Sequence, residues 1–309
     1  MGASTQPTMY YGGQAVIEGV MIRGPREMAI AVRAPDGTIV TRAERLSGIY
    51  AGPLRRVPLA RGVIVLWETL ALGLRALTWS SQVAAGRDER EVSRGQLYAL
   101  LALMLVFAGA VFFAGPLLLT SWIGPLTGDR YLGLVAEGLL RLVMLIGYIW
   151  LIGRMPDVRR VFAYHGAEHR AIHAYEHEPE VTVAAALDYP NAHPRCGTAF
   201  LLSVMVISLV LFVLLGTPSI WVRLAERIAL IPVVAAMAYE VLRVGQAFGA
   251  NRVVAWLYAP NLWLQKLTTR DPDEAQVEVA IAALNAARGI EAALAAEPAA
   301  PRRVEEPLA

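Results

Sequence analysis

The sequence is poor in charge, in cysteine and in lysine. Asp, Glu, Lys and Arg make up 17% of its 309 residues, where a soluble domain carries about 25%. Hydrophobic residues reach 56% and the mean hydropathy is +0.46, which excludes a disordered chain and argues against a purely soluble enzyme. Cys196 is the only cysteine, so there is no internal disulfide framework. Lys266 is the only lysine, so the basic side is almost wholly arginine. A net charge of +2 from 28 basic and 26 acidic groups is too balanced for general nucleic-acid binding, and no nucleic-acid partner is expected. The first twelve residues, MGASTQPTMYYG, are polar, and no apolar run follows until past residue 55. That is not the pattern of a cleaved signal peptide. The expectation is a cytoplasmic N-terminus, with the first spanning segment acting as the insertion signal.

What is present begins with GGQAVIEGVMIRG at 12–24, four glycines around a short apolar run that holds Gln14, Glu18 and Arg23. Its spacing matches neither a Walker motif nor a dinucleotide fingerprint. Next, alternation around Pro35, Asp36 and Gly37 predicts a β-hairpin with strands near 28–33 and 38–42. Residues 57–84 are apolar and helix-prone, with Arg61, Glu68 and Arg75 seven apart. That spacing returns within about 20° of one face, so an interfacial helix or one packed on the bundle is expected rather than a full span. Four stretches predict spanning helices: Leu97–Ile123, Tyr131–Gly153, Thr198–Gly216 and Ile228–Phe248. Trp256, Tyr258 and Trp263 suit a headgroup region. DEAQVEVAIAALNAA is helical, and the Ala/Pro/Glu-rich end reads as disordered.

Arginine placement predicts the orientation. Residues 1–96 hold twelve arginines, and 154–197 hold five. The connection 124–130 holds only Arg130, and 217–227 holds Arg223 and Arg227. The count puts both termini and the central segment inside, with two short loops outside.

All five histidines lie between 165 and 193. His165, His169, His173 and His177 are four apart, and on a helix residues four apart stack on one face. His177 drifts toward another face, while Glu176 returns to within about 20° of His165. His193 and Cys196 follow as H-x-x-C beside Pro194 and Gly197, where a turn brings both back toward the helix. Neutral imidazole and thiolate are the ligands zinc prefers. Within the run, His165-Gly-Ala-Glu168-His169 matches H-x-x-E-H, in which two histidines bind zinc and the glutamate is general base. A third ligand is needed; His193 and Glu176 lead, and His173 is another candidate. The expected cofactor is zinc or another divalent transition metal. The same cluster also fits a structural patch or a pH-responsive one beside the membrane.

Three further polar positions stand out. Glu137 and Arg141 lie four apart inside a span, placed for a stabilising clamp. Glu240 and Arg243 lie three apart near the inner end of the last span, where snorkelling accounts for them equally well. Glu18 reads chiefly as a turn carboxylate, with a role as acid, base or ligand as the second option.

GGQAVIEGVMIRGP, YHGAEHRAIHAYE, HPRCGTAFL and LWLQKLTTRDPDEAQVEVAIAAL together resemble the YqhQ-like family of bacterial membrane proteins. The resemblance runs from about residue 10 to 285. It implies a multi-pass protein of the bacterial inner membrane, described generally as a metal-dependent enzyme of unknown function; it brings no substrate and no catalytic residue.

The expected fold is mainly α: a polytopic α-helical membrane protein with about four transmembrane helices, an amphipathic helix and a small N-terminal β-hairpin element. The expected segments are 1–56 (glycine-rich and hairpin), 57–96 (amphipathic helix and connector), 97–153 (first membrane hairpin), 154–197 (cytoplasmic His-rich insert), 198–248 (second membrane hairpin), 249–285 (interfacial and helical) and 286–309 (disordered). The expected function is a metal-dependent enzyme, leaning to a zinc hydrolase. In it His165, His169 and His193 hold the metal, with His173, Glu176 and Cys196 in reserve, and Glu168, with Glu18 behind it, is the catalytic carboxylate. Its partners are the lipid bilayer and a membrane-proximal substrate or protein. The alternatives are a metal- or pH-responsive scaffold and, third, a transporter using Glu137 and Arg141.

Overall fold

A computed structural model describes residues 11–46, 57–86, 93–123, 126, 128–194, 196–216, 219–248 and 251–296. The polar first ten residues, residues 87–92 of the charged connector, Arg195 and the tail beyond 296 lie outside the described residues.

Four strands form one antiparallel meander: β1 (Gly12–Val16), β2 (Gly19–Arg23), β3 (Glu27–Arg33) and β4 (Ile39–Arg45). The predicted hairpin is β3–β4. Gly37 turns the chain at φ +87°, and Asp36 Oδ1 accepts from the N–H and hydroxyl of Thr38 at 2.9 and 2.7 Å. Such local bonding is why Asp and Gly mark turns. The glycine-rich run before it is a second hairpin, which the sequence reading did not predict. Val16 pairs with Gly19, leaving Ile17 and Glu18 as a two-residue turn, with Glu18 at φ +52°.

The helices are α1 (Ala60–Ala84), α2 (Arg94–Gly109), α3 (Gly115–Thr120), α4 (Arg130–Ile152), α5 (Pro156–His177), α6 (Val183–Leu187), α7 (Thr198–Leu215), α8 (Ile220–Ala229), α9 (Ile231–Ala247), α10 (Arg252–Thr268) and α11 (Glu274–Ala296). A π-helical turn, Ala110–Ala114, joins α2 to α3. α11 continues past residue 285, where disorder was expected, because its small apolar face is buried on the sheet.

Both faces of the sheet are covered. Val20, Ile22, Ala29 and Ala31 pack on α5 and α11, and Val16, Met21, Met28, Ile30 and Val32 pack on Leu72, Ala76, Trp79 and Val83 of α1. The alternation in β3 is therefore small against large, not polar against apolar. Its alanines admit two helices on one face, and its long side chains fill the layer under α1. The charged stripe of α1 ties it in place: Glu68 accepts from Arg23 of β2 at 2.9 Å through Nε, and Arg61 pairs with Glu240 of α9. Arg75 remains exposed. α1 thus lies against the bundle with its first half and against the sheet with its second.

By length and composition, α1, Tyr98–Thr120 and Tyr131–Ile152 are long and apolar enough to cross a membrane. α8 and α9 together are a fourth such segment, bent by 48°. Pro232, two residues into α9, supplies the bend, since it has no N–H and its ring crowds the carbonyl four residues back. Two expectations change here. α7, with 18 residues, spans about 27 Å, slightly short of a hydrocarbon core of about 30 Å. The expected loop 217–227 is largely the helix α8.

α8 is drawn in by charge. Glu137 on α4 accepts from Arg141 at 2.7 Å, from Arg227 at 2.7 and 2.8 Å, and from Arg223 at 2.7 Å. Arg141 also donates to Ser208 of α7 at 3.3 Å and to the Phe112 carbonyl at 2.7 Å. Phe112 is four residues before Pro116, so the usual i+4 N–H partner of that carbonyl is missing. The expected Glu137–Arg141 clamp is thus a cluster of three arginines on one carboxylate. Replacing Glu137 with Gln is expected to cost about 3–5 kcal/mol, read as a lower thermal unfolding midpoint in detergent. An unchanged midpoint would show that the cluster does not hold the bundle together.

Candidate metal centre

α5 buries a face of Tyr164, Ala167, Ala171, Ile172 and Ala174 against the sheet and α11. Its histidine stripe is left to meet the segment 191–196 and the end of α10. Two glycines permit the approach. A Cβ on Gly13 of β1 would stand 2.9 Å from Glu168 Cγ, and one on Gly166 would stand 2.2 Å from the Arg270 carbonyl oxygen. The glycine that weakens helix propensity inside H-G-A-E-H is therefore the one that lets residues 270–272 lie along α5.

The His165 and His169 rings lie 4.5 Å apart between centroids. His165 Nδ1 donates to the Thr268 carbonyl at 2.8 Å, which turns Nε2 to Cys196 Sγ at 3.2 Å. His169 Nδ1 donates to the Asn191 carbonyl at 2.5 Å. A carbonyl only accepts, so both rings carry a proton on Nδ1, and Nε2 is the nitrogen that a neutral ring would offer as a ligand. His169 is 1% exposed, and among the described residues its Nε2 has no hydrogen-bond partner. Ligand atoms of His165, His169 and Cys196 lie within 4.8 Å of one another.

Ligand atoms of His173, Glu176 and His193 form a second trio within the same limit. His173 Nε2 donates to the Ala192 carbonyl at 2.9 Å, leaving Nδ1 with its lone pair. His193 Nε2 stands 3.5 Å from a Glu176 oxygen, and its ring is 4.5 Å from that of His173. The Gln265 side chain grips the backbone of His193 at both N–H and carbonyl, at 2.9 and 3.0 Å. Burial pushes His173 down to about 4 and lowers His193 as well, so both rings are neutral near pH 7. The Glu168 charge acts on His193 in the opposite, weaker sense.

Six expected ligands therefore come together, but with a different partition. Cys196, not His193, completes the set of His165 and His169. The Cys196 N–H bonds back to the His193 carbonyl at 3.2 Å, and the turn so formed sends its two side chains to different trios. Glu168 is buried, with Oε2 3.7 Å from His169 Nε2. Glu18 belongs to neither trio; Arg160 holds it through two N–H groups, and the Tyr164 hydroxyl reaches it at 3.3 Å. His177 turns away, stacking on Tyr189 and bonding to the His173 carbonyl. Asn191, Gln265 and Thr268 went unforeseen as supports. Two of them act through backbone carbonyls, which side-chain chemistry does not reveal. Asn191 is itself fixed by Arg170 at 2.7 Å and Asp271 at 2.8 Å.

Gly166→Ala is expected to push residues 270–272 off α5 at a cost of about 1–3 kcal/mol, seen as a lower unfolding midpoint and faster proteolysis at Arg270. The metal-free protein should also lose stability on acidification. His173 titrates lower folded than unfolded, so its contribution is complete above about 6.5 and lost as pH falls toward about 4. A thermal-melt series from pH 7 to 4 checks the sign, and His173→Gln should flatten the slope.

No solved structure matches the chain. The model of a family described as "Protein of unknown function (DUF1385)" matches residues 57–289, from before α1 to within α11 and including every residue of both trios. The Bacillus subtilis (strain 168) "Uncharacterized protein YqhQ" is 33% identical over 296 residues, 91% of this chain and 93% of the relative. The chain belongs to this DUF1385, YqhQ-like family of proteins of unknown function.

Proposed function

We propose that this protein is a metal-dependent enzyme of the bacterial inner membrane, with a zinc-type centre on the cytoplasmic side and hydrolysis as its reaction class. The observation that carries the reading is the buried Nε2 of His169, which has no hydrogen-bond partner among the described residues and stands beside a neighbouring imidazole and a thiol. Buried polar atoms almost always have partners. An orphan lone pair beside two further soft donors is what a metal ion would satisfy. Carbonyl acceptors on the far nitrogens of His165 and His169 are the supports that ligating histidines normally have.

His165, His169 and Cys196 would hold the ion, and three protein ligands leave a position open for water or substrate, as in catalytic zinc sites. A bound ion supplies Lewis acidity and a water that ionises near neutral pH. Glu168, beside His169, would serve as the general base. Glu18, spent on Arg160, positions α5 against the β1–β2 turn. The arginine counts support a cytoplasmic N-terminus, C-terminus and site, because residues 1–96 and 154–197 together carry most of the arginines outside the apolar helices.

Detergent-purified protein, supplied with zinc and freed of excess, should retain zinc by elemental analysis. Zinc should remain in Glu168→Gln. In a panel of reporter amides, esters and phosphate esters, the wild type should turn over at least one class, and Glu168→Gln should lower that rate by about 100-fold or more. Wild-type protein that retains no zinc would sink the reading.

A further inference from the structure

The six candidate ligands do not converge on one point. His165 and His173 are eight residues apart on α5, so their Cα atoms lie about 12 Å apart along the axis. Two nitrogens on one zinc ion lie within about 4 Å of each other, given bonds of 2.0–2.1 Å. The histidine ladder is too long for a single ion, and the structure divides it. His165 and His169 face Cys196, while His173 and Glu176 face His193. The His193–Cys196 turn gives one side chain to each trio. The trios are neighbours: the His169 and His193 rings are 5.7 Å apart. Glu168 stands beside His169 at 3.7 Å.

We propose that the centre is binuclear, with one divalent transition-metal ion on His165, His169 and Cys196 and a second on His173, Glu176 and His193. The proposal rests on the metal-enzyme reading and deepens it. Three observations are specific to the second site. The His173 Nε2–H is committed to the Ala192 carbonyl, which frees Nδ1 as a ligand atom. Gln265 clamps the His193 backbone on both sides, which fixes where that ring stands. His193 and Glu176 already face each other at 3.5 Å. The two sites differ in character. The first includes sulfur and suits zinc or cobalt; the second offers two imidazoles and a carboxylate, a set that manganese or iron also accepts.

The test uses the full-length protein in detergent, stripped with a chelator and titrated with cobalt(II). Bound metal is counted by elemental analysis, and the thiolate-to-cobalt charge-transfer band reports the Cys196 site alone. Two equivalents are expected in the wild type, one of them giving the band. His173→Ala/Glu176→Gln should fall from two equivalents to one and keep the band; Cys196→Ser should lose the band and keep the other equivalent. A single equivalent in the wild type overturns the second site, whichever variant removes it, and leaves the one-ion reading standing. No bound cobalt or zinc in the wild type overturns both. The count on unmutated protein decides, so a variant that fails to fold does not blunt the test.

Discussion

Everything at the candidate centre depends on how closely α5 lies against the sheet. Ala167, Ala171 and Ala174 belong to the contact face, and Ala29 and Ala31 answer them from β3. Methyl-sized side chains on both partners bring the backbones near, and close packing there fixes the rotation of the helix about its axis. Once that rotation is set, the histidine ladder can face only the 191–196 segment and the end of α10. Gly13 and Gly166 belong to the same constraint, since each removes a Cβ that would hold α5 away from a neighbour.

The membrane-type bundle and the sheet layer meet at this helix. Phe162 of α5 packs with Leu145 and Ile149 of α4, Met205 of α7 and Leu264 of α10. The centre takes Cys196 from just before α7 and its backbone acceptors from Asn191, Ala192 and Thr268. A displacement of α7 or α10 would therefore reach the ligands directly. The arginine cluster on Glu137 holds α4, α7 and α8 together elsewhere in the bundle. There a buried carboxylate meets three guanidinium groups, so its four accepted hydrogen bonds are all charge-assisted.

The physical character of each element was legible wherever it depended on local pattern. The long charge-free runs, the Asp-Gly turn and the i, i+4 histidines each carry a periodicity or a turn chemistry that acts over a few residues. The β1–β2 hairpin was not legible, because four glycines hide the alternation and its strands are five residues each. Helix α8 was read as a loop because its arginines look like surface charge until Glu137 is seen between them. The stretch of α11 just after 285 looked disordered because alanines read as weak until packing buries them, as it does Ala287.

By itself the sequence determined that the chain is dominated by apolar helices, that its histidines gather on one helix, and that a single cysteine follows them. These are properties of composition and spacing, and helix geometry converts them into a ladder of imidazoles. Only the tertiary structure decided which of these side chains stand together as candidate ligands. That choice rests on the turn that separates His193 from Cys196, on carbonyls that fix which nitrogen of each ring is free, and on the engagement of Glu18 by Arg160. Backbone acceptors, side-chain directions and long-range ion pairs arise only when distant segments pack, so no reading of spacing along one helix could have divided the ladder in two.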